Sequence, residues 1–287
     1  MADKTTTLKN HELELFFLAA MEASVHASAD IMDVYKTDFA VQQKSDDSPV
    51  TLADQRADDT IRKYLFETGE YVLSEEQTPL SYKERKDLNY LWIVDPLDGT
   101  KEFIKKNGEF TVNIALIKNG HPVIGIVTAP ALNKIYWAVK GKGLFFMMVE
   151  NWEWVIPAKA GIETIIDQSK KIEPKINNIK IIGSRSHGNT DTQNYVNLLK
   201  AMHPNSEMIT GGSSLKLCKV AMGDASFYPR FSPINEWDIA AGTALVEISG
   251  GHVLDAATRL PVIFNKENLL QPPFVTVANG IDPATLP

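Results

Sequence analysis

Two β-rich stretches, "EFTVNIALIK" and "HPVIGIVTAP", meet at Asn119-Gly120, and this junction limits the possible folds more than any other part of the chain. Asn-Gly between two such runs is the strongest short-range hairpin signal, because both central residues of the turn take positive φ. Two neighbouring strands are therefore expected to pair antiparallel in the middle of the chain. Helical text (residues 11–36 and about 51–66) and strand text ("YVLSEE", "YLWIVDP", "KIYWAVKGKGLFFMM") follow no regular βαβ alternation around them. The mixture predicts an α+β fold of packed layers in place of a doubly wound sheet.

Residues 151–180 are less patterned, polar and rich in lysine. We expect the lobe boundary there: an N-terminal α+β lobe over 1–155 and a C-terminal α/β lobe over 156–287, packed as one unit. Beyond it the text predicts a strand ("KIIGSRSH"), a helix near 190–202 and a second helix ending at Gly223. A strand ("ASFYPRF") and a helix opening at "WDIAAG" and capped by Gly250-Gly251 follow. The cluster 145–148 reads as core or sheet-edge packing, and Cys218 as a small apolar filler within its helix.

Charge and cysteine content exclude several function classes. A net charge of −7 argues against a nucleic-acid or membrane-surface binder, since attraction to phosphate needs a basic field. One cysteine permits neither an internal disulfide nor a thiolate metal cluster. Leu13, Phe16, Phe17 and Ala20 follow helical spacing, and "FFLAAM" is far shorter than the ~20 residues of a membrane span. These features predict a soluble, cytoplasmic protein without integral membrane contact.

The chemistry concentrates in "DPLDGTKEF", residues 95–103. Pro96 suits the second position of a tight turn, which would bring Asp95 and Asp98 together at the end of the strand "LWIV". Two such carboxylates repel and raise each other's pKa unless a cation lies between them, and an all-oxygen site selects an ion like Mg²⁺. Gly99 permits close approach of a ligand, and a helix opening at Thr100 would offer free N–H groups to an anion. Three further acids can join. Glu75 and Glu76 end another strand, and because neighbours point to opposite faces at most one of them belongs to the site. Asp238 opens the helix "DIAAGTALVEI", where a simple N-cap is an equal alternative. Asp54 in "SPVTLAD" is equally explained as the far end of a Thr51 capping box. Glu75, Asp95, Asp98 and Asp238 carry −4 together, which balances two divalent ions.

"DPLDGTKEF", preceded by "SPVTLAD" and "LSEE" and followed by "WDIAAG", resembles the inositol monophosphatase superfamily of lithium-sensitive phosphatases. "SRSH", "GSSLK" and "YPRF" are more similar to its CysQ-type branch, the 3′(2′),5′-bisphosphate nucleotidases. The resemblance spans roughly residues 10–275. It implies a layered αβαβα sandwich of the inositol monophosphatase/fructose-1,6-bisphosphatase type, two or three Mg²⁺ ions, and hydrolysis of 3′-phosphoadenosine 5′-phosphate to AMP, with its sulfated form a possible second substrate. The implied metal ligands are Glu75, Asp95, the Leu97 carbonyl, Asp98 and Asp238. Thr100, paired with Asp54, would orient the attacking water. Gly99 and Thr100 would grip the phosphate, and Ser184, His187, Gly212 and Lys216 would contact the nucleotide. Arg230, with Arg185 and Lys216, supplies the local positive charge that an acidic protein needs for such a substrate. The competing enzyme reading is an inositol mono- or bisphosphatase on the same metals. The implied partner is a small molecule, and the chain a monomer or homodimer.

Overall fold

The computed structural model describes residues 4–37, 41–43, 49–153, 161–184 and 188–287. The chain runs α1 (Lys4–Tyr35), β1 (Val41–Gln43), β2 (Pro49–Thr51), α2 (Leu52–Phe66), β3 (Val72–Ser74), α3 (Tyr82–Arg85), β4 (Tyr90–Asp98) and α4 (Thr100–Ile104). Four longer strands follow: β5 (Thr111–Lys118), β6 (His121–Ala129), β7 (Lys134–Val139) and β8 (Gly143–Met148). Then come α5 (Ile162–Asp167), β9 (Lys170–Ile172), β10 (Lys180–Ser184), α6 (Thr190–Met202), β11 (Glu207–Gly211) and α7 (Leu215–Ala221). β12 (Phe227–Arg230), α8 (Glu236–Ile248), β13 (His252–Asp255) and β14 (Phe274–Val277) complete the layers.

Two large sheets result, one in the order β3-β4-β5-β6-β7-β8-β9 and one in the order β11-β10-β12-β14-β13. α1 and α2 cover the outer face of the first sheet, α7 and α8 lie between the sheets, and α6 covers the far side of the second. Five layers, αβαβα, follow from which faces are apolar. Along β4, Tyr90, Trp92 and Val94 enter the core under α1 and α2, whereas Leu91 and Ile93 enter the core under α8. Burial on both faces is why these strands read as continuous apolar runs without alternation. α8 is buried almost all round, as a helix between two sheets must be. Gly125 on β6 makes its close approach possible, since a Cβ there would lie 2.4 Å from Ala244 Cβ and 2.5 Å from the Ala241 carbonyl.

The hairpin at Asn119-Gly120 forms as expected: φ is 52° and 79°, and Lys118 pairs with His121. The described part of 151–180 carries more order than its composition suggested, since β9 adds a strand to the first sheet, α5 packs on α1 and β9, and the chain passes to the second sheet between Ile172 and Lys180. Phe145 stacks on Trp137, and Cys218 is a buried filler whose thiol burial pushes up, away from the thiolate. One expectation needs amending. The 25 residues His11–Tyr35 of α1 are long and apolar enough to cross a membrane. More than half of its most apolar 18-residue window is nevertheless buried inside the protein, and Phe17, Ala20, Met21 and Ile31 are fully covered by the core that α1, α2 and the sheet share. A helix packed this deeply on a sheet and a second helix can match a span in length and composition.

Candidate active site

Side-chain alternation carries Leu91 and Ile93 towards α8, and the next residue in that series is Asp95. The tight turn expected at 95–98 does not form. β4 continues to Asp98, with Asp95 opposite Asn113 and Asp98 opposite Thr111, so three steps on β4 match two on β5. The extra residue is a β-bulge, where a proline without an N–H is tolerated. Because Thr111 and Asn113 share one face of β5, the bulge turns Asp98 to the same face as Asp95. It thereby does what the turn was expected to do while keeping the strand paired.

β3 runs parallel to β4 with Ser74 opposite Val94, and it delivers Glu75 at the same end, its N–H bonded to the Val94 carbonyl at 3.2 Å. Asp58 of α2 braces this end, accepting from Ser74 Oγ and Gln77 Nε2 at 2.5 Å each. From α8 comes Asp238. Ligand oxygens of Glu75, Asp95 and Asp238 lie within 4.8 Å of one another. Asp98 stands beside this triad on the cleft wall, with its Oδ2 accepting from Ser213 Oγ at 2.6 Å. Glu76 is not in the triad.

The two capping readings and the two site readings turn out to be compatible. Asp54 Oδ2 takes the Thr51 N–H and hydroxyl, both at 2.7 Å, whereas Oδ1 faces Thr100 Oγ1 at 3.4 Å. Asp238 Oδ2 likewise accepts the Asn235 N–H at 2.8 Å and still joins the acidic cluster. Asp54 divides its two oxygens between the cap and Thr100, and Asp238 both caps its helix and joins the cluster. Thr100 Oγ1 also lies 3.5 Å from the Leu97 carbonyl. Gly99 has φ 91°, a conformation that L side chains rarely adopt, and a Cβ would meet the Glu109 carbonyl at 3.3 Å.

The same cleft is lined by Ser184, Gly212, Lys216, Tyr228 and Arg230. Lys216 is buried, its Nζ donating to the Ser213 carbonyl at 2.6 Å and lying 5.6 Å from the Tyr228 ring centroid. Arg230 donates to the Tyr228 hydroxyl at 3.4 Å and the Pro233 carbonyl at 3.2 Å, with Nε unpartnered among the described residues. His187 and Arg185 lie outside the described residues. Sequence reasoning passed over Ser213, Tyr228 and the bracing Asp58. Ser213 stood in the quoted "GSSLK" text, but nothing local distinguishes a serine that bonds across the fold from one that faces water.

Whether a metal fits is answered by Asp95. Its side chain is fully buried, Oδ1 accepts the Leu97 N–H at 3.0 Å, and Oδ2 has no hydrogen-bond partner among the described residues. Burial pushes its carboxyl well above the usual range, helped by Glu75, Asp98, Asp238 and Asp54. Asp238 is pushed up to about 8 by burial and by Asp98 and Glu75. A buried, unpartnered carboxylate oxygen among other carboxylates is satisfied by a hard divalent cation and by no side chain present. The donor set fits.

This has a consequence for stability. The unfolded chain releases these protons near pH 4, whereas the metal-free folded protein retains the Asp238 proton to about pH 8. The folded state therefore binds more protons across that window, and metal-free stability falls as pH rises through it. Ions that bind the carboxylates reverse the loss. The gain in melting temperature on replacing EDTA with Mg²⁺ is expected to be larger at pH 8 than at pH 5.5, and equal gains at both would contradict the fit.

A five-layer sandwich with carboxylates gathered at strand ends beside a threonine and a left-handed glycine defines the class of metal-assisted phosphatases. The chain matches the model of the Inositol monophosphatase family over residues 12–282, and it belongs to that family. It is 40% identical over 253 residues to the 3′(2′),5′-bisphosphate nucleotidase CysQ of Escherichia coli K12, covering 87% of this chain and 94% of the relative. The Haemophilus influenzae protein of the same description is 30% identical, covering 95% of both chains. Among solved structures, CysQ of Bacteroides thetaiotaomicron superposes with a TM-score of 0.83 at 39% identity, covering 92% of this chain and 97% of that one. The layered α+β architecture implied by the sequence is therefore the family's.

Proposed function

We propose that this protein removes the 3′-phosphate of 3′-phosphoadenosine 5′-phosphate, releasing AMP and phosphate. The unpartnered oxygen of buried Asp95, grouped with the cleft-lining Glu75 and Asp238 in a cleft that Lys216 and Arg230 also line, is the observation that carries this reading. It is supported by the nucleotidase description of relatives that align over nearly the whole chain. Glu75, Asp95, Asp98, Asp238 and the Leu97 carbonyl would hold two or three Mg²⁺ ions. Such ions, when bound, lower the pKa of water and neutralise charge on the phosphoryl oxygens.

The remaining work falls to the chain itself. Asp54 and the Leu97 carbonyl are both acceptors, so the Thr100 hydroxyl points its single proton at one of them. Its oxygen is left to accept a hydrogen bond from a water and to fix that water's lone pair towards phosphorus. These contacts are long, as catalytic hydrogen bonds often are before substrate arrives. Gly99 keeps the backbone bare where the phosphate approaches, and the first turn of α4 leaves its N–H groups unused within the helix. Lys216 and Arg230 compensate the second phosphate in a protein of net negative charge. Ser184 and Gly212 border the nucleoside; the Gly212 backbone packs so tightly on Glu109 that a Cβ would meet it at 3.0 Å.

Phosphate release should be measured from 3′-phosphoadenosine 5′-phosphate, its sulfated form and inositol 1-phosphate, with and without lithium. The adenosine bisphosphate is expected to be turned over with the highest kcat/KM, Mg²⁺-dependent and lithium-sensitive. Preference for the inositol ester would overturn the substrate assignment while leaving the metal chemistry standing.

A further inference from the structure

Ser213 has φ 49°, inside the left-handed region where glycine is the usual residue. It follows two glycines, Gly211 and Gly212, yet carries a side chain itself. A residue kept in that conformation calls for a use of its side chain, and the contacts supply one. Ser213 Oγ lies 2.6 Å from Asp98 Oδ2, 3.2 Å from the Asp98 carbonyl and 2.6 Å from Thr111 Oγ1. Its own carbonyl accepts Lys216 Nζ at 2.6 Å. The neighbouring Ser214 donates its hydroxyl to the Asp238 carbonyl at 2.7 Å.

We propose that Ser213 is a positioning residue, whose hydroxyl fixes the orientation of the Asp98 carboxylate for metal binding. The inference rests on the metal-site reading above. Proton counting supports it. Asp98, when ionised, only accepts, so the single Ser213 proton goes to Oδ2 and Thr111 must then donate to Ser213. Thr111 is 3.1 Å from the Asn113 amide oxygen, while Asn113 Nδ2 has no partner among the described residues. With the two ends of that amide exchanged, Asn113 donates to Thr111, Thr111 to Ser213 and Ser213 to Asp98. The Thr111 and Ser213 hydroxyls then each have a donor and an acceptor, and the row ends on one Asp98 oxygen with the other left for a cation. The Ser213 carbonyl meanwhile accepts from the Lys216 ammonium and fixes the place of that charge. The loop between β11 and α7 thus ties a ligand on the first sheet to the substrate cation and, through Ser214, to the start of α8.

The test uses the full-length protein stripped with EDTA and titrated with Mn²⁺ alone, free Mn²⁺ being read by EPR without substrate. Melting temperature is recorded in parallel. Ser213→Ala removes the hydroxyl and keeps the strained φ; Ser213→Gly removes the hydroxyl and relieves the strain. Both variants are expected to bind Mn²⁺ about ten-fold or more weakly, the range for loss of a group that orients a ligand, with the glycine variant melting above the alanine variant. Should Ser213→Ala fail to fold, Ser213→Gly alone decides. Wild-type Mn²⁺ affinity in Ser213→Gly would overturn the proposal and leave the metal site standing. A wild-type protein that binds no Mn²⁺ would overturn both together.

Discussion

Asp95→Asn is expected to lower phosphate release by at least ~10²–10³-fold, the loss usual for a single group that stabilises developing charge, and to make the metal-free protein more stable. The two effects have one cause. Asp95 is fully buried, its Oδ2 is unpartnered, and its ionisation is opposed first by burial and then by Glu75, Asp98, Asp238 and Asp54. Asparagine keeps the shape, and its Oδ1 still accepts the Leu97 N–H. Its Nδ2 then donates to the carboxylates that repel Asp95. An acidic cluster maintained against this gain is a site whose stability is given up for function. Thermal melting in EDTA together with Mg²⁺-dependent phosphate release checks the prediction. A variant that is less stable without metal, or as active as wild type at limiting Mg²⁺, would contradict it.

Thr100→Val should have a different signature. Valine retains the volume of threonine but cannot hold a water. Loss of about 10²–10³-fold in kcat is expected, with KM and Mn²⁺ affinity close to wild type, because the hydroxyl acts on the attacking water and not on substrate or metal in the ground state. Asp54→Asn should show the same kinetic pattern with an added loss of stability, since Asp54 Oδ2 also caps α2. Steady-state kinetics across a Mg²⁺ series reads the shared pattern, and thermal melting separates the two variants. A rise in KM without a fall in kcat would place Thr100 in substrate binding alone.

How much of this was legible in the sequence depends on how local each cause is. The Asn119-Gly120 hairpin was legible because a two-residue turn is set by its own backbone preferences. Glu75, Asp95 and Asp238 could be nominated because each closes an apolar strand text or opens a helix, where side chains leave the layers. The bulge at 95–98 could not be told from a proline turn, since both use the same residues and differ only in the register against Thr111 and Asn113. The double use of Asp54 and Asp238 was hidden because a sequence does not divide a carboxylate's two oxygens. β9 is three residues long and exists by pairing with β8, so nothing in its own text marks it. Ser213 acts on a residue 115 positions away, and only its left-handed φ and its partners reveal it.

Diffraction at the manganese edge from crystals soaked in Mn²⁺ shows where this protein holds its ions. Anomalous peaks are expected within ligand distance of Glu75, Asp95 and Asp238, with Asp98 and the Leu97 carbonyl on the same ions, and they are expected to vanish in Asp95→Asn. Peaks elsewhere in the protein, with this corner empty in crystals of an enzyme that is active with Mn²⁺, would contradict this placement.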